Sequence, residues 1–345
     1  MPDILTMISD ADRLSFSQNL SVARPNYLGD RLFPDQKSQN LTAEYLRLAN
    51  GATLPVMATV HAFDTEAEIA SRPVFDKITV EKLLIKRKIN QTERMRQLTE
   101  NGVYSDDAIV DYVFDDMRMM ADAVKVRTEV AKMEVLATGG MTISENRLSL
   151  NVDYGVPADN VAFEIDLSAD ADIVGQIQEI VDYAAENGYT ITEAVTSNKV
   201  LRKLAANEGI QTLIFGSVGA GTYVPSERLQ SLFGQLFGFS TITTNDLRYK
   251  YQTANGTETT ARFYPEDKIT FIATGIAGQF GMGLWGVTPE EAEYGQYSKK
   301  SADQYITITQ WATPDPVAVW TKASGLFIPV LPDPGALFVA TEASA

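Results

Sequence analysis

The chain has no cysteine and a single histidine, His61, among 345 residues. Without thiols, disulfides and thiolate metal sites are excluded. One imidazole cannot build a histidine-rich zinc site within one chain. His61 lies between Val60 and Ala62, near Asp64. No G-x-S-x-G pattern supplies a nucleophile for it, so it reads as a packed or surface residue. Long apolar runs are missing as well. None approaches the roughly 18 residues of a membrane span, so no membrane partner is expected. The first 19 residues mix acids and Arg13 into their apolar positions, unlike a secretory signal. Bases are scarce: 29 Lys and Arg stand against 45 Asp and Glu, a net charge of −16. That balance argues against a general nucleic-acid binder. It is compatible with a surface that faces packed nucleic acid without sticking to it.

The motifs that imitate sites fail on spacing. Gly216, Gly219 and Gly221 run G-x-x-G-x-G, with no Lys-Ser or Lys-Thr after them, so neither a dinucleotide fingerprint nor a phosphate loop is present. They read as a surface loop. Asp170, Asp172 and Gly175 imitate the start of a calcium loop, but Val174 and Val181 fall where oxygen ligands are required. Asp166, Asp170 and Asp172 read instead as negative charge at a helix start. Asp115 and Asp116 are adjacent on a helix and do not face each other. A second glycine set, Gly275 to Gly286 around Phe280, Met282 and Trp285, suggests close backbone approach at a core edge or interface. No active site is legible. No catalytic residue, metal or cofactor is expected, and the chain is read as a non-enzyme.

What is present is a long amphipathic helix. Ile109, Val113, Met117, Met120 and Val124 recur three and four apart, and Val130, Met133 and Ala137 extend the stripe. Acids crowd its first half and bases its second, as the helix dipole favours. The spacing predicts a helix from Tyr104 to Thr138, about 50 Å long. Ahead of it, Val74 to Arg94 reads as extended, with Val74, Ile78, Val80 and Leu84 on one face. This stretch holds the densest basic cluster: Lys77, Lys82, Lys86, Arg87 and Lys88. It lacks the interleaved aromatics of a base-stacking platform and reads better as a contact for an acidic neighbour.

Residues 170–273 read as an α/β unit. Helices are expected over 170–187, from Ser197-Asn198 and from Pro225. Strands are expected over 189–196, 212–215, 239–243 and 268–273. Tyr249 and Tyr251 lead into Asn255-Gly256, the strongest hairpin signal in the chain. Thr142 to Val152 reads as an extended hairpin excursion, and Ala162 to Ile165 as a strand. Short strands follow at 305–309, 318–320, 325–331 and 336–340. Before residue 54 the chain reads as an arm, with a turn or two of helix at 44–49.

Several segments, in order, resemble the major capsid proteins of tailed bacteriophages, specifically the lambda-like capsid E family. Val74, Phe75, Asp76 and Lys77 lead into Glu81 to Asn90, with Arg94 and Arg96 beyond, like that family's extended loop. Tyr104 to Thr138 resembles its spine helix. Asp170 to Tyr183 and Tyr189 to Leu204 are similar to its axial helix, strand and helix. Arg262, Phe263, Tyr264, Pro265, Glu266 and Asp267 before Ile269 to Ala273 are similar to its aromatic-Pro-Asp turn and strand. Asp333, Pro334 and Gly335 into Leu337 to Val339 resemble its closing segment.

The resemblance implies an α+β, HK97-type fold. Its expected parts are an N-terminal arm (1–54), an extended β loop (55–94) and a peripheral domain with spine helix and insertion (95–168). An axial domain (169–300) and C-terminal strands returning to the peripheral domain (301–345) complete it. It implies a subunit of an icosahedral head shell around double-stranded DNA, assembled in a bacterial host's cytoplasm or from a prophage. Expected partners are the protein itself, as hexamers and pentamers, a separate scaffolding protein and a portal. Packaged DNA lies close without specific binding, and some relatives bind a decoration protein. Inter-subunit contacts are expected at Lys77, Lys82, Lys86, Arg87 and Lys88, and at Gly219 and Gly221 near the symmetry axes. The family's Lys–Asn crosslinking pair has no match here, so assembly is expected to be non-covalent. Two other readings remain: an encapsulin-like cargo shell, and a carboxylate-dependent enzyme or soluble binding protein.

Overall fold

In the computed structural model, the described residues are 12, 15–16, 27–48, 75–91, 106–145, 148–216, 221–239, 241–253, 256–274, 279–293, 299–300, 305–314 and 317–343. A short helix α1 (Leu28–Leu32) precedes strands β1 (Asp35–Lys37), β2 (Thr42–Leu48), β3 (Phe75–Glu81) and β4 (Leu83–Gln91). The long helix α2 (Asp106–Thr138) follows, then β5 (Gly140–Glu145), β6 (Leu148–Asp153) and β7 (Phe163–Ile165). Next come α3 (Ile173–Glu186), β8 (Thr190–Thr196), α4 (Asn198–Ala206), α5 (Glu208–Phe215) and α6 (Ser226–Phe237). Strands β9 (Thr241–Thr244), β10 (Arg248–Gln252), β11 (Glu258–Arg262), β12 (Lys268–Thr274) and β13 (Met282–Trp285) lead to α7 (Pro289–Glu293). The chain closes with β14 (Lys299–Lys300), β15 (Thr307–Pro314), β16 (Val317–Val330) and β17 (Leu337–Glu342).

The chain divides into two compact units, one of residues 1–43, 79–131 and 283–329, the other of 44–78, 132–282 and 330–345. The expected boundaries at 168 and 301 therefore do not coincide with them. The first unit is built on a mixed sheet in which β16 is the hub. It pairs antiparallel with β15 from Thr307↔Ser324 to Pro314↔Val317, and with β4 from Val319↔Gln91 to Phe327↔Leu83. Strand β13 joins the same sheet and pairs in parallel with β1. The α2 stripe of Val113, Met117, Met120, Ala121 and Val124 is buried, as the three-and-four spacing predicts. Glu129, also buried on α2, accepts a hydrogen bond from the Gly29 N–H at 3.0 Å.

The second unit holds a five-stranded sheet in the order β7-β17-β12-β8-β9. The last strand, β17, sits between β12 and β7. The closing strand thus pairs both with β12, in the segment expected as the axial domain, and with β7, in the segment 95–168 expected as the peripheral domain. Helix α3 buries Ile173, Ile177, Ile180 and Ala184 in this unit's core, with Phe233, Phe239, Phe271 and Phe338. Its N-cap is Asp172, whose carboxylate accepts from the Gly175 N–H at 2.9 Å. Ser197 caps α4 in the same way. The last turns of α2, Met133 to Ala137, are almost entirely buried here. The hairpins β5–β6 and β10–β11 each form a separate two-stranded sheet.

Four expectations change. Residues 208–215 form α5, where 212–215 was read as a strand; Asn207 caps it by accepting from the Ile210 N–H at 3.0 Å. Residues 44–48 belong to β2, paired with β3, where a turn of helix was expected. The two strands expected at 318–320 and 325–331 are one, β16. The single apolar face expected from Val74 to Leu84 breaks at Lys82. Ile78 and Val80 are half-buried, but the phase then flips to Leu83, Ile85 and Ile89, leaving Leu84 exposed.

Candidate assembly surface

The basic cluster lies on two strands with different duties. Lys77, on β3, is exposed, and its ammonium is 2.7 Å from the Glu44 carboxylate of β2. Lys82 stands in the break between β3 and β4 and is buried. Its Nζ donates to the Asn40 carbonyl at 2.6 Å and its N–H to the Leu41 carbonyl at 3.2 Å. Burial pushes its ammonium below the ordinary lysine range. It lies beside an open cavity of about 450 Å³ whose walls include Leu41, Leu84, Thr288, Pro289 and Leu326. Lys82 thus holds its own chain together, and its charge is not displayed to a neighbour.

The β4 residues Lys86 and Lys88 are exposed and share one face of the sheet, because strand residues alternate. Lys86 lies 3.1 Å from Glu290 of α7, which also takes Lys322 of β16 at 2.7 Å. Burial alone would raise the Glu290 pKa, but hydrogen bonds from Lys322, from its own backbone N–H and from Lys86 prevail and hold it down to about 2. Lys88 Nζ sits 4.4 Å from the ring centre of Trp320, a cation–π distance. Trp320 faces Trp311 across the β15–β16 ladder, and the two rings stack at 6.3 Å. The aromatic partners absent from residues 77–88 therefore arrive from strands more than 200 residues later. Only the cross-strand register brings them there, and no local pattern announces it.

Arg87 points to the opposite face, exposed, with no carboxylate paired to it among the described residues. Of the five expected basic contacts, it alone presents an uncommitted charge. Of the glycines, Gly219 lies outside the described residues. Gly221 is exposed at φ 84° and donates its N–H to Gln211 Oε1 at 2.8 Å. Gly221 is thus tied to α5, a helix, where a strand was expected. Tyr223, two residues on, is 81% exposed, and Leu213 of α5 is 54% exposed.

His61 and Gly275 to Gly278 also lie outside the described residues. Gly283 and Gly286 fit the close-approach reading. An added Cβ would strike Asp35 Oδ1 at the first and the Leu326 side chain at the second. Among the described residues no cluster of His, Asp or Glu is arranged to hold a metal. No described helix is long and apolar enough to cross a membrane.

The geometry is that of strands, hairpins and part-spent charges spread over a surface. A family model described as phage major capsid protein E matches residues 11–342. No curated protein matches. Among solved structures, the chain is similar to a capsid protein of a prophage in E. coli CFT073, at 17% identity and TM-score 0.52, covering 78% of this chain and 80% of that one. It is similar to a phage-related protein of Bordetella bronchiseptica RB50, at 10% identity and TM-score 0.56, covering 97% and 98%. A third similar structure is the bacteriophage PhiM1 mature capsid, at 10% identity and TM-score 0.50, covering 94% and 90%. At such identities the structures establish the fold, which is HK97-like, and the family model carries the membership. The chain belongs to the phage major capsid protein E family.

Proposed function

We propose that this capsid subunit builds its head shell from hexamers and pentamers of itself, around double-stranded DNA, with no catalytic step of its own. The observation that carries the proposal is the family match, which runs through both compact units from residue 11 to 342. A separate scaffolding protein and a portal complete the assembly, and a decoration protein is a further candidate partner. The site of assembly is the host cytoplasm. In this reading 1–54 is the arm, 55–94 the extended loop, and the α/β unit approaches the axes through the loop at Gly219 and Gly221. Arg87 is the basic residue best placed to meet a neighbour, since Lys82 is internal and Lys77, Lys86 and Lys88 are engaged within the chain. Hundreds of modest contacts, each reversible, sum to a durable shell.

Negative-stain microscopy with light scattering tests this. Shells, tubes or five- and six-membered rings are the expected outcome for purified protein, alone or with scaffold. A monodisperse monomer at every salt and scaffold concentration would overturn the proposal.

A further inference from the structure

The α/β unit carries two exposed surfaces of opposite charge, each with charges that no oppositely charged side chain pairs among the described residues. The first is the outward face of α3. Between Arg147 and Lys199 the sequence has no lysine, arginine or histidine, while acids recur throughout. Helix α3 lies inside this stretch. Glu179, Asp182 and Glu186 are exposed and fall three and four apart, so they form one stripe opposite the buried Ile173, Ile177 and Ile180. Asp182 accepts from Gln178 Nε2 at 2.7 Å. No lysine or arginine among the described residues pairs with any of the three.

The second surface is the β10–β11 hairpin. Its strands pair only with each other, over five rungs from Arg248↔Arg262 to Gln252↔Glu258. A lone two-stranded hairpin is marginal in water and gains from being covered. One face carries Arg248 and Lys250 on β10, opposite Arg262 and Thr260 on β11. The first rung sets two arginines opposite each other on one face, which is unfavourable without anions. Arg262 has its anions: Asp246 is hydrogen-bonded to it, and Glu266 lies 3.9 Å away. Arg248 is exposed; its charge is among those that hold the Glu266 carboxylate below its ordinary range, but no carboxylate among the described residues lies within ion-pair distance of it. Lys250 has Glu258 at 3.3 Å, but both are largely exposed, and such a pair adds little. Tyr251, on the other face, is 46% exposed.

We propose that the basic face of the β10–β11 hairpin docks on the acidic α3 stripe of a second copy of this chain. The occupant follows from complementarity. The stripe and the hairpin face have opposite signs and similar pitch: about 5–6 Å between α3 neighbours and about 7 Å between Arg248 and Lys250. Each copy carries one of each, so the contact is head-to-tail, the kind that closes into a ring when its rotation divides the circle. It rests on the shell reading above and specifies which surfaces join adjacent copies.

Charge reversal in the full-length protein tests the contact. Arg248→Glu with Lys250→Glu, and separately Glu179→Lys with Asp182→Lys, are expected to lower the assembled fraction at least about tenfold, since like charges facing each other disfavour docking. The thermal midpoint of the unassembled protein should stay close to wild type, because these side chains are exposed. Combining all four substitutions restores attraction and assembly. Mixing the two double variants does so as well, but only in rings of even number, so hexamers form and pentamers do not. Normal assembly of either double variant, or loss without rescue, overturns the contact while wild-type shells keep the shell reading intact. Retention of duplex DNA by wild type, abolished by the hairpin substitutions alone, would assign that face to nucleic acid and overturn the proposal. Failure of the wild type itself to assemble overturns both.

Discussion

Glu290 holds a charge where burial would ordinarily remove it. It is 8% exposed, and its Oε1 accepts from Lys322 at 2.7 Å and lies 3.1 Å from Lys86. Oε2 is buried without a hydrogen-bond partner among the described residues, so the lysines carry the site. A carboxylate whose folded pKa lies below its unfolded value adds stability above the unfolded pKa. That stability is lost as pH falls through the folded one. With the folded value about 2 and the ordinary value 4.5, the contribution is complete above roughly pH 5 and disappears between about pH 4.5 and 2. Glu290→Gln should therefore melt lower than wild type at pH 7, by roughly 2–3 kcal/mol, a figure reduced from the bare linkage value because both lysines are part-exposed. Melts of the two proteins should converge towards pH 2. A gap that persists unchanged in acid would mean that the site is packing alone.

At the scale of elements, the end of α2 is tied to the α/β sheet by a chain of hydroxyls. Thr270 of β12 donates to the Leu136 carbonyl at 3.0 Å, so in its 2.8 Å contact with Tyr264 the tyrosine is the donor. Lys268 adds a bond to the Ala137 carbonyl at 2.9 Å. Burial raises the Tyr264 pKa further above its ordinary value, so the phenol stays a donor across the accessible pH range. Thr270→Val keeps the shape and strands the Leu136 carbonyl, while the Tyr264 hydroxyl keeps its 3.3 Å bond to the Val195 carbonyl. We expect a loss of about 1–3 kcal/mol, the usual cost of leaving buried polar groups unpaired. Amide exchange should accelerate first at the last turn of α2. Unchanged protection there would show that apolar packing alone holds the helix.

Elements with a strong period were legible from sequence: α2 by its three-and-four stripe, α3 and α4 by period and cap, β10–β11 by alternation into Asn-Gly. Misreadings fell where a local pattern was short or was overruled by partners. Residues 212–215 are four apolar or β-branched residues, equally at home in strand or helix. Asn207 decides, since it caps α5 and also donates to the carbonyls of Ser168, Ala169 and Ala171. Gly325 looks like a break between strands. Yet an added Cβ there would come within 2.9 Å of both Trp285 and Val124, so the glycine serves close packing inside one continuous β16. The surface was legible as composition and not as geometry. The basic run on β3–β4 was visible, but Glu290, Trp311 and Trp320 reach it only through strand register.

At the scale of the whole molecule, a net charge of −16 per copy resists crowding many copies into one shell. Two electrostatic effects therefore oppose each other during assembly. Repulsion between net charges acts over the Debye length, about 30 Å at 0.01 M salt and about 10 Å at 0.1 M. Attraction between local patches of opposite sign acts at contact distance and yields only when screening becomes comparably short, about 3 Å at 1 M. Assembly rate should therefore rise as salt is added from the millimolar range, pass through a maximum, and fall towards 1 M. Light scattering at fixed protein concentration across that range measures it. The variant reversing Arg248 and Lys250 should lose the falling limb, because it has no local attraction left to screen. If wild-type assembly instead kept rising to 1 M, apolar contacts such as exposed Tyr223 and Leu213 would be the ones joining the subunits. The opposed charges would then be only what keeps the unassembled protein soluble.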